Sequence, residues 1–189
     1  MDNHDYDPKT IWNVPNVLTM LRMALIPVFV YLFMNGHDMW ALAVYCAASL
    51  TDIADGHIAR KYHMITDFGK LVDPLADKLM VIAMMTTMVI RGILPVPILV
   101  ILVAKELLML LGGAYMYKKG IVVYSKVIGK AAQAVVVSGL VLCFFHDYFT
   151  RLSVPVHLIV LWCGVALTIC ALVFYARGAL EQLRGSKDK

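Results

Sequence analysis

The sequence predicts an all-α integral membrane protein. The expected form is six transmembrane helices in one bundle, preceded by a short juxtamembrane segment, with both termini cytoplasmic. Three observations lead there. Of 189 residues, 61% are hydrophobic, well above the roughly 45–50% of soluble domains. Six apolar runs, 17–34, 39–59, 68–90, 93–117, 128–145 and 154–175, mostly reach the roughly 17–25 residues that a helix needs to cross the hydrocarbon core. Backbone polar groups in lipid must be satisfied within the segment, so these runs are read as helices. Finally, basic residues fall on alternate connections. Lys9, then Arg60, Lys61 and Lys70, then Lys118, Lys119, Lys126 and Lys130, then Arg177, Arg184, Lys187 and Lys189 lie on one side, with only Arg91 and Arg151 on the other. The positive-inside rule assigns the richer side to the cytoplasm. The whole chain, 1–189, then reads as one membrane domain: a juxtamembrane segment 1–16, a bundle 17–177 and a cytoplasmic tail 178–189.

Ahead of the first run, Trp12 reads as an interfacial anchor and Asn13 or Asn16 as a helix cap. The acidic N-terminus lacks the basic start of a signal peptide, and no small-residue cleavage site follows the first run. That run is therefore expected to stay as a span. Arg22 lies a turn or two inside it, and two readings are open: it snorkels to the headgroups, or it reaches the acidic stretch described below. In the third run, Met80, Met84, Met85 and Met88 form a helical stripe expected to pack. Lys105 and Glu106 fall in the middle of the fourth run. Neighbours on a helix diverge by about 100°, so these two are expected to pair poorly with each other. Ionisable groups at such depth are functional candidates, with a link to another helix as the plainer alternative. Lys118 and Lys119 read as positive-inside loop residues. Lys126 and Lys130, four apart, share a face, and Lys130 after Gly129 is placed to meet an anion.

Other features limit the choices. Cys46, Cys143, Cys163 and Cys170 sit inside apolar runs without metal-ligand spacing and are expected to be buried hydrophobes. His57 and His63 read as bystanders, and His146, Asp147, Arg151 and His157 as outer-side residues. Net charge is only +4, and the basic residues lie between spans rather than in an aromatic-laced patch, so no nucleic acid partner is expected.

The chemistry concentrates in residues 51–78. Asp52 and Asp55 are three apart, and Asp73 and Asp77 four apart, so each pair shares a helix face. A charge near hydrocarbon costs about 2.5–3.5 kcal/mol on insertion scales, and four carboxylates of one sign repel unless a cation sits among them. Without Cys or His, such a donor set suits Mg2+ or Mn2+, one or two ions. Acidic helix ends solvated at the membrane surface are the plainer reading, but they do not call for Gly56, Ala59 and Gly69 at fixed offsets. Small residues there let a ligand approach the backbone, and Arg60 offers a planar fork to a phosphate. A metal site at the cytoplasmic side suits a substrate with a diphosphate head and lipid tails. A cation or proton transporter using the aspartates as a relay would need charge across the full membrane depth, whereas the acidic stretch lies at one side.

The motif Asp52-x-x-Asp55-Gly56-x-x-Ala59-Arg60, eight residues, Gly69-x-x-x-Asp73-x-x-x-Asp77 resembles the complete signature of the CDP-alcohol phosphotransferase family. Pro15, Asn16, Thr19 and Arg22 are similar to that family's pattern at the first span. The resemblance implies metal binding by Asp52, Asp55, Asp73 and Asp77, and a CDP pocket of Asp52, Gly56, Ala59, Arg60, Gly69 and Asp73. It also implies Asp77 as general base, CDP-diacylglycerol as donor, a homodimer, and a bacterial cytoplasmic membrane location with the active site facing the cytoplasm. Lys105, Lys130, Lys126 and Arg22 are the candidate ligands of an anionic acceptor. The segment Asp73-Pro74-Leu75-Ala76-Asp77-Lys78 is similar to that of members using glycerol 3-phosphate, and members using phosphatidylglycerol carry it too. Glycerol 3-phosphate users commonly show Ser-Arg-Glu and Gly-Lys-x-Lys-Thr. This chain has Ala104-Lys105-Glu106 and Gly129-Lys130-Ala131-Ala132-Gln133, so phosphatidylglycerol stays open as the alternative to the favoured acceptor, glycerol 3-phosphate.

Overall fold

A computed structural model describes residues 14–61, 67–119 and 127–185, and all regular structure among them is helical. The helices are α1 (Val14–Met34), α2 (Asp38–Lys61), α3 (Asp67–Ile90), α4 (Val96–Lys118), α5 (Val127–Cys143), α6 (His146–Arg151) and α7 (Val156–Gly185). They form two compact units, one running to Thr87 and one starting at Met88.

In the first unit, α1 and α2 form an antiparallel pair joined by three residues. The turn closes as a Schellman motif: Gly36, at φ +78°, donates its N–H to Phe33 O at 3.1 Å, and His37 donates to Leu32 O at 3.0 Å. That left-handed position is open to glycine without a Cβ clash. The buried side of α1 runs through Asn16, Thr19, Arg22, Phe29 and Phe33, and that of α2 through Ala41, Tyr45 and Ala48. Steps of three, four and seven keep these residues on one stripe of each helix. Phe29 and Phe33 stack with centroids 5.8 Å apart. On α3, Ala76, Met80, Met84, Met85 and Met88 are buried, so the methionine stripe packs as its spacing predicts.

The second unit is gathered around α7, on which α4, α5 and α6 all pack. Its tightest seam joins α5 to α7 through glycines. A Cβ on Gly139 would lie 2.8 Å from the Leu161 side chain, and one on Gly164 would lie 2.8 Å from Val136. Small residues that admit a neighbouring backbone are how helices associate where lipid removes the hydrophobic driving force. Gly92, at φ +71°, ends α3 with a second Schellman turn. A third such turn ends α6, with Ser153 at φ 57° where glycine is usual.

Among the described residues, 16–34, 96–113 and 156–179 are long and apolar enough to cross a membrane, and 128–143 forms a shorter apolar helix. Outward-facing Tyr31, Trp40, Leu50, Leu111 and Phe174 leave an apolar exterior suited to lipid. The protein is a helical membrane protein. α2 and α3 do not meet the same measure, because the acidic stretch places charges within them.

Several expectations change. α1 begins at Val14, so Asn16 lies inside the helix, buried, and does not cap it; Asn13, the other cap candidate, lies outside the described residues. α7 runs ten residues past the expected end at 175, because Ala, Leu, Glu, Gln and Arg continue the helix after the apolar run stops. α6 has no counterpart among the predicted runs. Of the four cysteines, all free, only Cys143 is buried, while Cys46, Cys163 and Cys170 face outward. A cysteine on a lipid-facing stripe carries the same apolar signal as one in a core.

Candidate active site

The C-terminal turns of α2 and the N-terminal turns of α3 carry the acidic motif. α2 stays helical through Lys61, which places Asp52, Asp55, Gly56, Ala59 and Arg60 on one continuous helix, and α3 is helical from Asp67 through Gly69, Asp73 and Asp77. The shared-face register of each aspartate pair follows. The side chains of Asp55, Gly56, Ala59, Arg60 and Gly69 lie outside the described residues, as does Lys126.

α1 draws the two halves of the motif together. Arg22, 1% exposed, places Nη1 2.9 Å from Asp52 Oδ1 on α2. Thr19, 0% exposed, donates its hydroxyl to Asp73 Oδ1 on α3. Thr19 and Arg22 are three apart on α1, hence neighbours on one face, with Cβ atoms about 5–6 Å apart. Both carboxylates are thus tied to the same turn. Of the two readings open for Arg22, the guanidinium turns to the acidic stretch. A buried guanidinium without a counter-charge would be costly, and Asp52 supplies that charge. Asp73 is half-buried and Asp77 exposed. Tyr45 on α2 hydrogen-bonds with Ser49 and lies within electrostatic reach of Asp77.

The donor chemistry fits a hard divalent cation. Asp52 and Asp73 offer only oxygen, and a carboxylate has about four lone-pair sites, so one hydrogen bond leaves capacity for a cation. Among the described residues no group of three or more His, Cys, Asp or Glu side chains is gathered closely enough to hold a metal.

The second unit holds a cavity of about 170 Å³ between α4, α5 and α7, lined by Lys105, Gly129, Ala132, Gln133, Thr168 and Tyr175 among others. Lys105 forms an ion pair with Glu106 next to it in sequence. The expected poor pairing is overturned: the long lysine stem bridges the angular gap, and a low-dielectric setting favours a partner over none. Lys130 is exposed and is not among the residues lining the cavity. Thr168 and Tyr175, seven apart, share a stripe of α7, but nothing in the sequence pairs that stripe with Gln133 on α5. Thr19 did have a signal: Asn16-x-x-Thr19-x-x-Arg22 puts three polar residues on one stripe of an apolar helix.

The model of the CDP-alcohol phosphatidyltransferase family matches residues 12–170, and the chain belongs to that family. It is 33% identical over 183 residues to a Bacillus subtilis protein named CDP-diacylglycerol–glycerol-3-phosphate 3-phosphatidyltransferase, covering 84% of this chain and 91% of that one. It is 31% identical over 189 residues to a probable phosphatidylglycerophosphate synthase of Mycobacterium tuberculosis, covering 94% and 87%. A Streptomyces coelicolor cardiolipin synthase (CMP-forming) is 33% identical over 106 residues, covering 53% of this chain and 49% of that one.

Proposed function

We propose that this chain moves the phosphatidyl group of CDP-diacylglycerol to glycerol 3-phosphate, giving phosphatidylglycerophosphate and CMP. The observation that carries the acceptor is identity sustained over most of both chains: the Bacillus subtilis and Mycobacterium tuberculosis relatives reach 33% and 31%. By contrast, one cardiolipin synthase matches along about half of this chain, and that of Rattus norvegicus is only 24% identical over 92% of it. Transfer to phosphatidylglycerol is the second reading, and the 53% of the chain shared with the Streptomyces coelicolor relative favours it.

The acceptor hydroxyl oxygen attacks the phosphorus bearing the diacylglycerol. The new P–O bond forms as the P–O bond to CMP breaks, and Asp77, exposed on α3, takes the hydroxyl proton as general base. Asp52, Gly56, Ala59, Arg60, Gly69 and Asp73 hold the CDP moiety. Asp52, Asp55, Asp73 and Asp77 would hold one or two Mg2+ or Mn2+ ions, which when bound neutralise charge on the diphosphate. Lys105, with Lys126 and Lys130, holds the acceptor phosphate, while Arg22 is engaged by Asp52. The six apolar runs all span the bacterial cytoplasmic membrane, with both termini and the acidic site on the cytoplasmic face, and the enzyme works as a homodimer. The test is CMP release by the purified protein with CDP-diacylglycerol, Mg2+ or Mn2+, and one acceptor at a time. Glycerol 3-phosphate should support turnover, and phosphatidylglycerol, serine and inositol phosphate should not. Turnover with phosphatidylglycerol alone would establish the second reading.

A further inference from the structure

We infer that the buried face of α1 is a positioning element for the divalent-cation site. Arg22 and Thr19 touch neither donor nor acceptor and act by fixing the carboxylates of Asp52 and Asp73. The inference rests on the metal reading above.

Three observations carry it. Arg22 and Thr19 are 1% and 0% exposed, so neither presents its polar group to a substrate entering from solvent. Each engages a different aspartate, on a different helix, from adjacent positions of one turn. One rigid element therefore sets the rotamers of two donors that come from α2 and α3. The side-chain types suit that task. The guanidinium is always charged and sets Nη1 against one oxygen of the Asp52 carboxylate, and threonine's branched Cβ restricts χ1 and aims its hydroxyl. Partners that orient metal ligands from behind commonly matter almost as much as the ligands. The same placement moves Arg22 from the acceptor cations to the support of Asp52.

A purely structural tie between three helices would look similar, so the test reads cation binding. Mn2+ is titrated into purified full-length protein without substrate, and free Mn2+ is read by electron paramagnetic resonance. Thr19→Val, Thr19→Ser and Arg22→Lys leave the charge of the site unchanged, so a change in affinity reports orientation. Thr19→Val and Arg22→Lys should raise the Mn2+ dissociation constant about 10- to 100-fold, with donor and acceptor KM at saturating Mn2+ within about twofold and Thr19→Ser close to wild type. Should Thr19→Val not fold, Arg22→Lys is held to the same expectation. Wild-type Mn2+ affinity in both variants would overturn the inference. So would a defect confined to acceptor KM in Arg22→Lys, which would return Arg22 to the acceptor site. Absence of Mn2+ binding by the wild-type protein would instead remove the metal reading itself.

Discussion

The two units place charge differently. In the first, a buried arginine and threonine reach across from α1 to aspartates on α2 and α3, and the helices carrying the motif are the ones too charged to read as plain spans. In the second, α4 and α7 are long apolar helices, α5 and α7 close on each other through Gly139 and Gly164, and the ion pair at mid-span is local to α4. A charged group near hydrocarbon persists where a counter-charge or ligand repays its desolvation. On the function proposed above, the aspartates work where packing is polar, and the close apolar seam of α5 and α7 serves as scaffold.

Substitutions in each unit should therefore fail in different ways. The largest effect is expected for Asp77→Asn, which removes the proposed general base. Turnover should fall by about 10²- to 10⁴-fold while the protein inserts and elutes like wild type. Near-normal kcat would mean the proton leaves by another route. Lys105→Ala comes next and probes the ion pair within α4. Losing a charge-assisted contact to the acceptor phosphate, about 1.5–3 kcal/mol, should raise KM for glycerol 3-phosphate roughly ten- to a hundredfold with donor KM unchanged. A drop in thermal stability without a change in KM would return Lys105 and Glu106 to the scaffold.

Gly164→Ala should do the reverse. Its Cβ would meet Val136 Cγ2 at 2.8 Å and Val136 N at 3.1 Å. Forcing α5 and α7 apart should cost about 1–3 kcal/mol, seen as a lower melting temperature, with KM values intact in the folded fraction. The smallest effect is expected for Ser153→Gly. Relieving the left-handed serine at φ 57° should stabilise the fold by less than about 1 kcal/mol, readable as a small rise in melting temperature with unchanged kinetics.

The helices were legible because apolar runs end at residues with their own conformational logic. Gly36 and Gly92 close α1 and α3 where the hydropathy falls. What hydropathy cannot register is a helix that outlasts its apolar run, as α7 does to Gly185, or one too short to own a run, as with α6. The acidic motif was legible from its spacing, since intervals of three and four fix a helix face before any tertiary contact is known. Its support was only half so. The stripe Asn16, Thr19, Arg22 was visible on α1, but which aspartate each would meet depends on how α1, α2 and α3 pack. The cavity around Lys105 was less legible still. Gln133 on α5 meets Thr168 and Tyr175 on α7 only through the packing of the two helices, which no pattern along a single helix registers.

The central claim is that the acceptor hydroxyl oxygen, and not its carbon, forms the new bond to the phosphorus bearing the diacylglycerol as CMP leaves. Glycerol 3-phosphate carrying ¹⁸O in its primary hydroxyl tests it most directly. After turnover with CDP-diacylglycerol, mass spectrometry should find the label in the bridging ester oxygen of the lipid product and none in CMP. Label in CMP, or a lipid product without it, would contradict the account.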